Sequence, residues 1–186
     1  MTKVLSIFVV LLAAGTLTAC SPVSQTNTST LPDGAVQWAF TQADQHPDKV
    51  LTEQIGKATK TLDIAIYSLT EDGIVQGILD AKKRGVTVRI ITDKQQMGNK
   101  TQTEKLKLLK KSGIPIKYNT HSGLMHLKVT IIDGVECTTG SFNYSNQAST
   151  SNDEVLLVVK DAKATQAFED QFQRMWDDKK GFTDYK

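Results

Sequence analysis

Three histidines, two cysteines and no metal-ligand spacing limit the chemistry open to this chain of 186 residues. Asp63 and Asp93 fall on separate expected strands with no further ligands beside them, so no metal motif stands out. Of His46, His121 and His126, only His126 sits in a run of polar, chemically useful neighbours. A reaction that needs two imidazoles therefore lacks its second one within that run. The net charge of +2 is close to balance and by itself selects no class of partner. The apolar run from Val4 to Ala14 is short for a membrane-spanning helix.

That run has the parts of an export signal: Lys3 before it and small residues after it, ending at Cys20. Leu17-Thr18-Ala19-Cys20 resembles the lipobox of bacterial lipoproteins. The resemblance implies removal of residues 1 to 19, lipid on Cys20, and stable membrane anchoring once two or more acyl chains are attached. Ser21 in place of Asp implies the outer membrane, with the domain facing the periplasm. With Cys20 so used, Cys137 is alone and an intramolecular disulfide is excluded. Residues 20 to 31, the lipidated Cys and SPVSQTNTSTL, read as a flexible tether. The folded domain is expected over residues 32 to 186, long enough for one packed core.

The domain alternates. A strand over 36 to 41 precedes a helix over 47 to 59 that Pro47 suits at its first turn. Strand 61 to 69, helix 71 to 85, strand 86 to 92, helix 103 to 113 and strand 114 to 118 follow. Gly85 and Gly113 end the two helices, and no hairpin turn separates the elements. Crossovers of that kind imply parallel pairing. Asp133-Gly134 marks a hairpin, 154 to 159 is a strand, and Phe168, Phe172, Met175 and Trp176 give a last helix its buried stripe. The expected fold is α/β, a mixed, largely parallel sheet flanked by helices.

The chemistry gathers in HLKVTIIDGVECTTGSFNYS, which begins at His126. On an extended strand His126, Lys128 and Thr130 share a face, while Leu127, Val129 and Ile131 face a core. Ser141 and Asn143 share a face in the same way. Lys128 and Asn143 suit the non-bridging oxygens of a phosphate, with Ser141 beside them, and an unprotonated His126 suits attack on phosphorus. The imidazole needs an orienting acid, for which Asp133, Asp153 and Glu154 are candidates. Asp133 has the wrong parity and opens the turn, so Glu154 is preferred. Six lysines between Lys100 and Lys117 face one acid, Glu104, on a helix that is either a phosphate-tracking face or merely solvated.

His126-x-Lys128, Asp133, and Gly140-Ser141-x-Asn143 match without a gap the His-Lys-Asp signature of the phospholipase D superfamily. The surrounding segments TLDIAIYSLT, ILDAKKRGVTVRIITD and TGSFNYS resemble its small single-motif branch, the Nuc-type bacterial endonucleases, across most of residues 47 to 178. The resemblance implies a phospholipase D-like α/β/α sandwich and a metal-independent phosphodiesterase with no cofactor. His126 would be nucleophile in one subunit and general acid in the other, through a phosphohistidine. Lys128, Asn143 and Ser141 would hold phosphate, Glu154 would supply the acid beyond the motif, and Asp133 and Gly140 would be structural. A homodimer acting on DNA, and on RNA as a further substrate, follows from the same likeness. Two rivals stand beside it: hydrolysis of phospholipid headgroups, and a lipoprotein that binds nucleic acid without cutting it.

Overall fold

The computed structural model describes residues 31–186. The signal segment 1 to 19, Cys20 and the tether as far as residue 30 lie outside the described residues. The elements in chain order are β1 (Val36–Phe40), α1 (Pro47–Lys57), β2 (Thr61–Ile66), α2 (Asp72–Lys83), β3 (Thr87–Thr92), α3 (Lys100–Lys111), β4 (Ile116–Asn119), β5 (Lys128–Ile132), β6 (Glu136–Gly140), α4 (Asn146–Thr150), β7 (Val155–Val159), α5 (Ala162–Asp177) and β8 (Phe182–Asp184). Local chemistry sets their ends. The Glu71 carboxylate accepts the Ile74 amide at 2.6 Å and starts α2. Gly85 at φ 92° and Gly113 at φ 78° turn the chain out of α2 and α3.

One eight-stranded sheet runs in the order β1-β7-β6-β5-β2-β3-β4-β8. Only β2–β3 and β3–β4 pair in parallel, and the other ladders are antiparallel. The mixed α/β class is as the sequence implies, but "largely parallel" is corrected. The two helical crossovers supply both parallel ladders. After β5 a hairpin leads to β6 and the segment carrying α4 leads back to β7, and each reverses the direction of the chain. The terminal β8 closes the far edge by pairing with β4.

Alternation along the central strands fills both faces of the sheet. Leu62, Ile64 and Ile66 of β2, with Ile90 and Ile132, join Leu51, Ile74, Ile78 and Leu106 in the core beneath α1 to α3. Ala65, Ile91, Val129 and Ile131 point the other way, to Phe172 and Met175 of α5. A fully buried Ile or Phe contributes about 1.5–3 kcal/mol, so either layer is a major source of stability. Arg89 pins α5 to the sheet, donating to Asp63 at 2.7 and 2.6 Å and to Gln173 at 2.9 Å beneath the Phe172 ring. Cys137 is buried in this layer, and burial pushes its thiol up to about 11, which suits packing rather than reactivity. Among the described residues no helix is long and apolar enough to cross a membrane.

Candidate active site

The strand directions converge on one end of the sheet, where β2 and β6 finish and β5 and β7 begin. Lys128 opens β5 opposite Ile66, and Gly140 closes β6 opposite Leu156. A hollow of about 350 Å³ there is lined by His126, Lys128, Gly140, Ser141, Asn143 and Glu154. Residues spread over nearly thirty positions of sequence thus meet because three antiparallel strands start or stop together.

His126 lies in the extended segment leading into β5 and is exposed, whereas Lys128 is only 5% exposed. The Lys128 ammonium lies 3.1 Å from each ring nitrogen of His126 and donates to the His126 carbonyl at 2.9 Å. Tyr67, just past β2, supports both: its ring centroid is 4.6 Å from that of His126 and 5.3 Å from the ammonium. Burial pushes the Lys128 ammonium below its usual range, and the negative charge of Glu154 opposes that shift. Among the described residues no carboxylate comes within ion-pairing distance of Lys128. A buried cation without a counter-charge is costly, and an arriving anion relieves that cost.

Gly140 adopts φ 137°, and a Cβ there would stand 2.2 Å from the Val155 carbonyl oxygen. Only glycine permits this approach. The next two amides, of Ser141 and Phe142, both donate to that carbonyl, and the Val155 amide donates to Ser141 Oγ at 3.1 Å. The Ser141 hydroxyl hydrogen is left for an acceptor in the hollow. Asn143 follows, with its Oδ1 buried and unpaired among the described residues. Glu154 borders the hollow, but its carboxylate accepts from Asn152 Nδ2 at 3.1 Å and makes no hydrogen bond to His126 among the described residues. The expected orienting contact is absent within one chain.

Asp133 lies at the opposite end of β5, in the left-handed region at φ 52° and followed by Gly134 at φ 69°. It does more than shape the turn. Its carboxylate accepts from the Thr59, Lys60 and Thr61 amides and from the Thr59 hydroxyl, tying the β5–β6 hairpin to the entry of β2. Desolvation raises its pKa, but these hydrogen bonds outweigh that and lower it to about 2.

Several supporting residues escaped the sequence reading. Asp93, fully buried after β3, accepts from the Met125 amide at 2.6 Å and the Gln95 amide at 2.8 Å, fixing the segment that presents His126. Asn119 accepts from the Lys94 amide and donates to the Gly123 carbonyl, bracing the same loop. A charged residue at the end of an apolar strand was the available signal for Asp93. Leu127, expected in the core, is instead 37% exposed, because the chain reaches the sheet only at Lys128. His46 pairs with Asp44 at the start of α1, away from this hollow. His121 borders a second hollow beside His126, together with Leu124 and Leu127. The lysines of α3 sit on a helix running back from the site end. Lys105 pairs with Asp72, Lys110 donates to the Tyr185 carbonyl, and Lys117 of β4 donates to that of Trp176.

Residues 51–176 match the family described as cardiolipin synthase, PLD-like domain. A mitochondrial cardiolipin hydrolase of Chlamydomonas reinhardtii is 38% identical over 125 residues, covering 67% of this chain and 55% of that protein. The chain spans a little over half the length of the curated relatives it matches. Among solved structures, the phospholipase D family member Nuc of Salmonella typhimurium superposes with a TM-score of 0.75 at 29% identity, covering 81% of this chain and 97% of that one. NucT of Helicobacter pylori gives 0.67 at 28% identity, covering 76% and 96%. With the family match spanning most of the folded residues and the motif residues gathered at one sheet end, this chain belongs to the phospholipase D-like family.

Proposed function

We propose that the chain is a metal-independent phosphodiesterase, an endonuclease that cleaves DNA and RNA with little sequence preference. The observation that carries this reading is the buried Lys128 ammonium, unpaired by any carboxylate among the described residues and 3.1 Å from both nitrogens of an exposed imidazole. Lys128, Asn143 and Ser141 hold the non-bridging oxygens and stabilise the charge spread over the transition state. An unprotonated ring nitrogen of His126 attacks phosphorus and the bond to the leaving oxygen breaks, giving a phosphohistidine. The leaving oxygen takes a proton from a second imidazole. Water then attacks phosphorus, the same second imidazole accepts its proton, and the nitrogen–phosphorus bond breaks.

One chain offers a single imidazole in the hollow, so the second is His126 of another copy, facing the first in a homodimer. Glu154, turned from its own His126, would then serve across the dimer or move on assembly. Lipid on Cys20 holds the enzyme at a membrane, the outer one facing the periplasm. Labelled palmitate incorporated by wild type and lost in Cys20→Ala supports that anchor, and equal labelling refutes it.

Hydrolysis of phospholipid headgroups is the second reading, and one feature favours it. An apolar groove lined by Leu127, Val129, Phe168, Phe172 and Met175 opens beside the hollow that His126 borders. The mitochondrial cardiolipin hydrolase similarity points the same way. The binding-only reading has weaker support, since α3 spends Lys105 and Lys110 on contacts within the chain. Plasmid, RNA and cardiolipin vesicles, each incubated with the enzyme in EDTA, separate the readings. Cleaved nucleic acid with intact lipid is expected; released phosphatidic acid with intact plasmid would transfer the site to lipids.

A further inference from the structure

A second polar hollow adjoins the phosphate-holding one, and Asn143 lines both. It has a volume of about 350 Å³, within the usual span of small-molecule sites, and is built from three separate segments. Tyr67, Ser68 and Thr70 come from the end of β2, Gln96 and Asn99 from the turn after β3, and Ser145, Asn146, Gln147 and Asn152 from around α4. Five of these lining residues are carboxamides, Asn143 makes a sixth, and none carries a charge. Asn99 and Asn152 are used locally, the first capping α3 and the second donating to Glu154. The carboxamides of Gln96, Asn146 and Gln147 make no hydrogen bond among the described residues. They offer paired donors and acceptors to whatever enters.

This chemistry differs from that of the phosphate hollow. An uncharged wall gives a second phosphate no ionic partner. A carboxamide presents an acceptor and two donors, the complement of a nucleobase edge or a sugar hydroxyl. Because Asn143 lines both hollows, a group in the second would lie beside a phosphate held in the first. We propose that this hollow is the subsite for the nucleoside attached to the scissile phosphate, held through the carboxamides of Gln96, Asn146 and Gln147. The inference rests on the nuclease reading and adds to it a contact with the base on one side of the break.

The test uses the full-length protein in EDTA and an oligonucleotide with one cleavable phosphodiester among methylphosphonate linkages. Companion substrates lack the base on one side or the other of that phosphodiester. Bis(p-nitrophenyl) phosphate serves as a base-free reference. Wild type is expected to cut one abasic substrate about tenfold more slowly in kcat/KM, the scale of losing about one or two neutral hydrogen bonds. The double variant N146L/Q147L is expected to lose that discrimination, cutting the intact and abasic substrates at similar rates. Q96L, on a different segment, is expected to lose part of it, so misfolding around α4 would not leave the result open. Wild-type discrimination retained in all variants, or absent from wild type, overturns the subsite while leaving the nuclease intact. Hydrolysis of the reference without cleavage of any oligonucleotide overturns the nuclease reading, and the subsite with it.

Discussion

At the scale of single residues, Lys128 is where burial and chemistry meet. It is buried at the start of β5, yet its side chain lines the open hollow beside His126. Burial lowers its pKa from 10.5 and Glu154 opposes that change. Activity that needs the cation is therefore full below the lowered value and falls as pH rises through it, earlier than for an ordinary lysine. E154Q removes the opposing charge and should shift the alkaline limb of kcat/KM to lower pH; a limb moving upward would contradict the coupling. K128A should lose about 100- to 1,000-fold in kcat, the scale of deleting one transition-state donor. Both lysine and histidine were legible from a two-residue spacing. The aim of Glu154 was not, because a side chain between two connecting segments takes its direction from neighbours such as Asn152 that no local period encodes.

Elements carry a different set of expectations. Beyond the ladder between β5 and β2, the hairpin β5–β6 is tied to the entry of β2 by the carboxylate of Asp133, with four donors on it. Its folded pKa of about 2 lies below the ordinary 3.8, so the stability it adds is complete above 3.8 and is lost as pH falls toward 2. Screening by solvent limits that contribution to about 1–2 kcal/mol. D133A should lower Tm by about 2–8 °C at neutral pH, with the gap to wild type closing near pH 2. A gap unchanged down to that pH would show that the lost stability is not electrostatic. G140A should cost more, since its Cβ would displace the Val155 carbonyl that holds β6 to β7. Circular dichroism melting measures both.

Strands and helices with strong periods were plain in the sequence: α2, with Ile74, Val75, Ile78 and Leu79 on its buried face, and α5, with Phe172 and Met175, lie where the apolar spacing puts them. Two elements were not. The stretch 146–150 is short and rich in Asn, Ser and Thr, and it becomes α4 only because Ser145 caps it and Ala148 packs inward. Residues 182–184 form β8 only by pairing with β4, which lies more than sixty residues earlier in the sequence. The parallel character was overread for a similar reason. Helix–strand alternation signals crossovers, but the direction of later strands is decided by turn length and by which edge of the sheet stays open.

At the scale of the whole molecule, the proposed mechanism makes the site half of an assembly, which mixing tests. Wild type titrated with inactive H126A should lose more activity than dilution explains, because mixed dimers hold one imidazole per site. A strictly proportional fall would favour a self-sufficient monomer. The exposed face around Leu124 and Leu127 lies beside His126, where a second copy or a lipid would come into contact.

The reaction itself is probed most directly by the rate of bis(p-nitrophenyl) phosphate hydrolysis in EDTA, wild type against H126A, with light scattering on both samples. Wild type should turn over without added metal, and H126A should lose at least about 1,000-fold in kcat while remaining dimeric and folded. Cleavage by H126A at a comparable rate, or a wild type that works only when a divalent metal is restored, would contradict nucleophilic attack by His126.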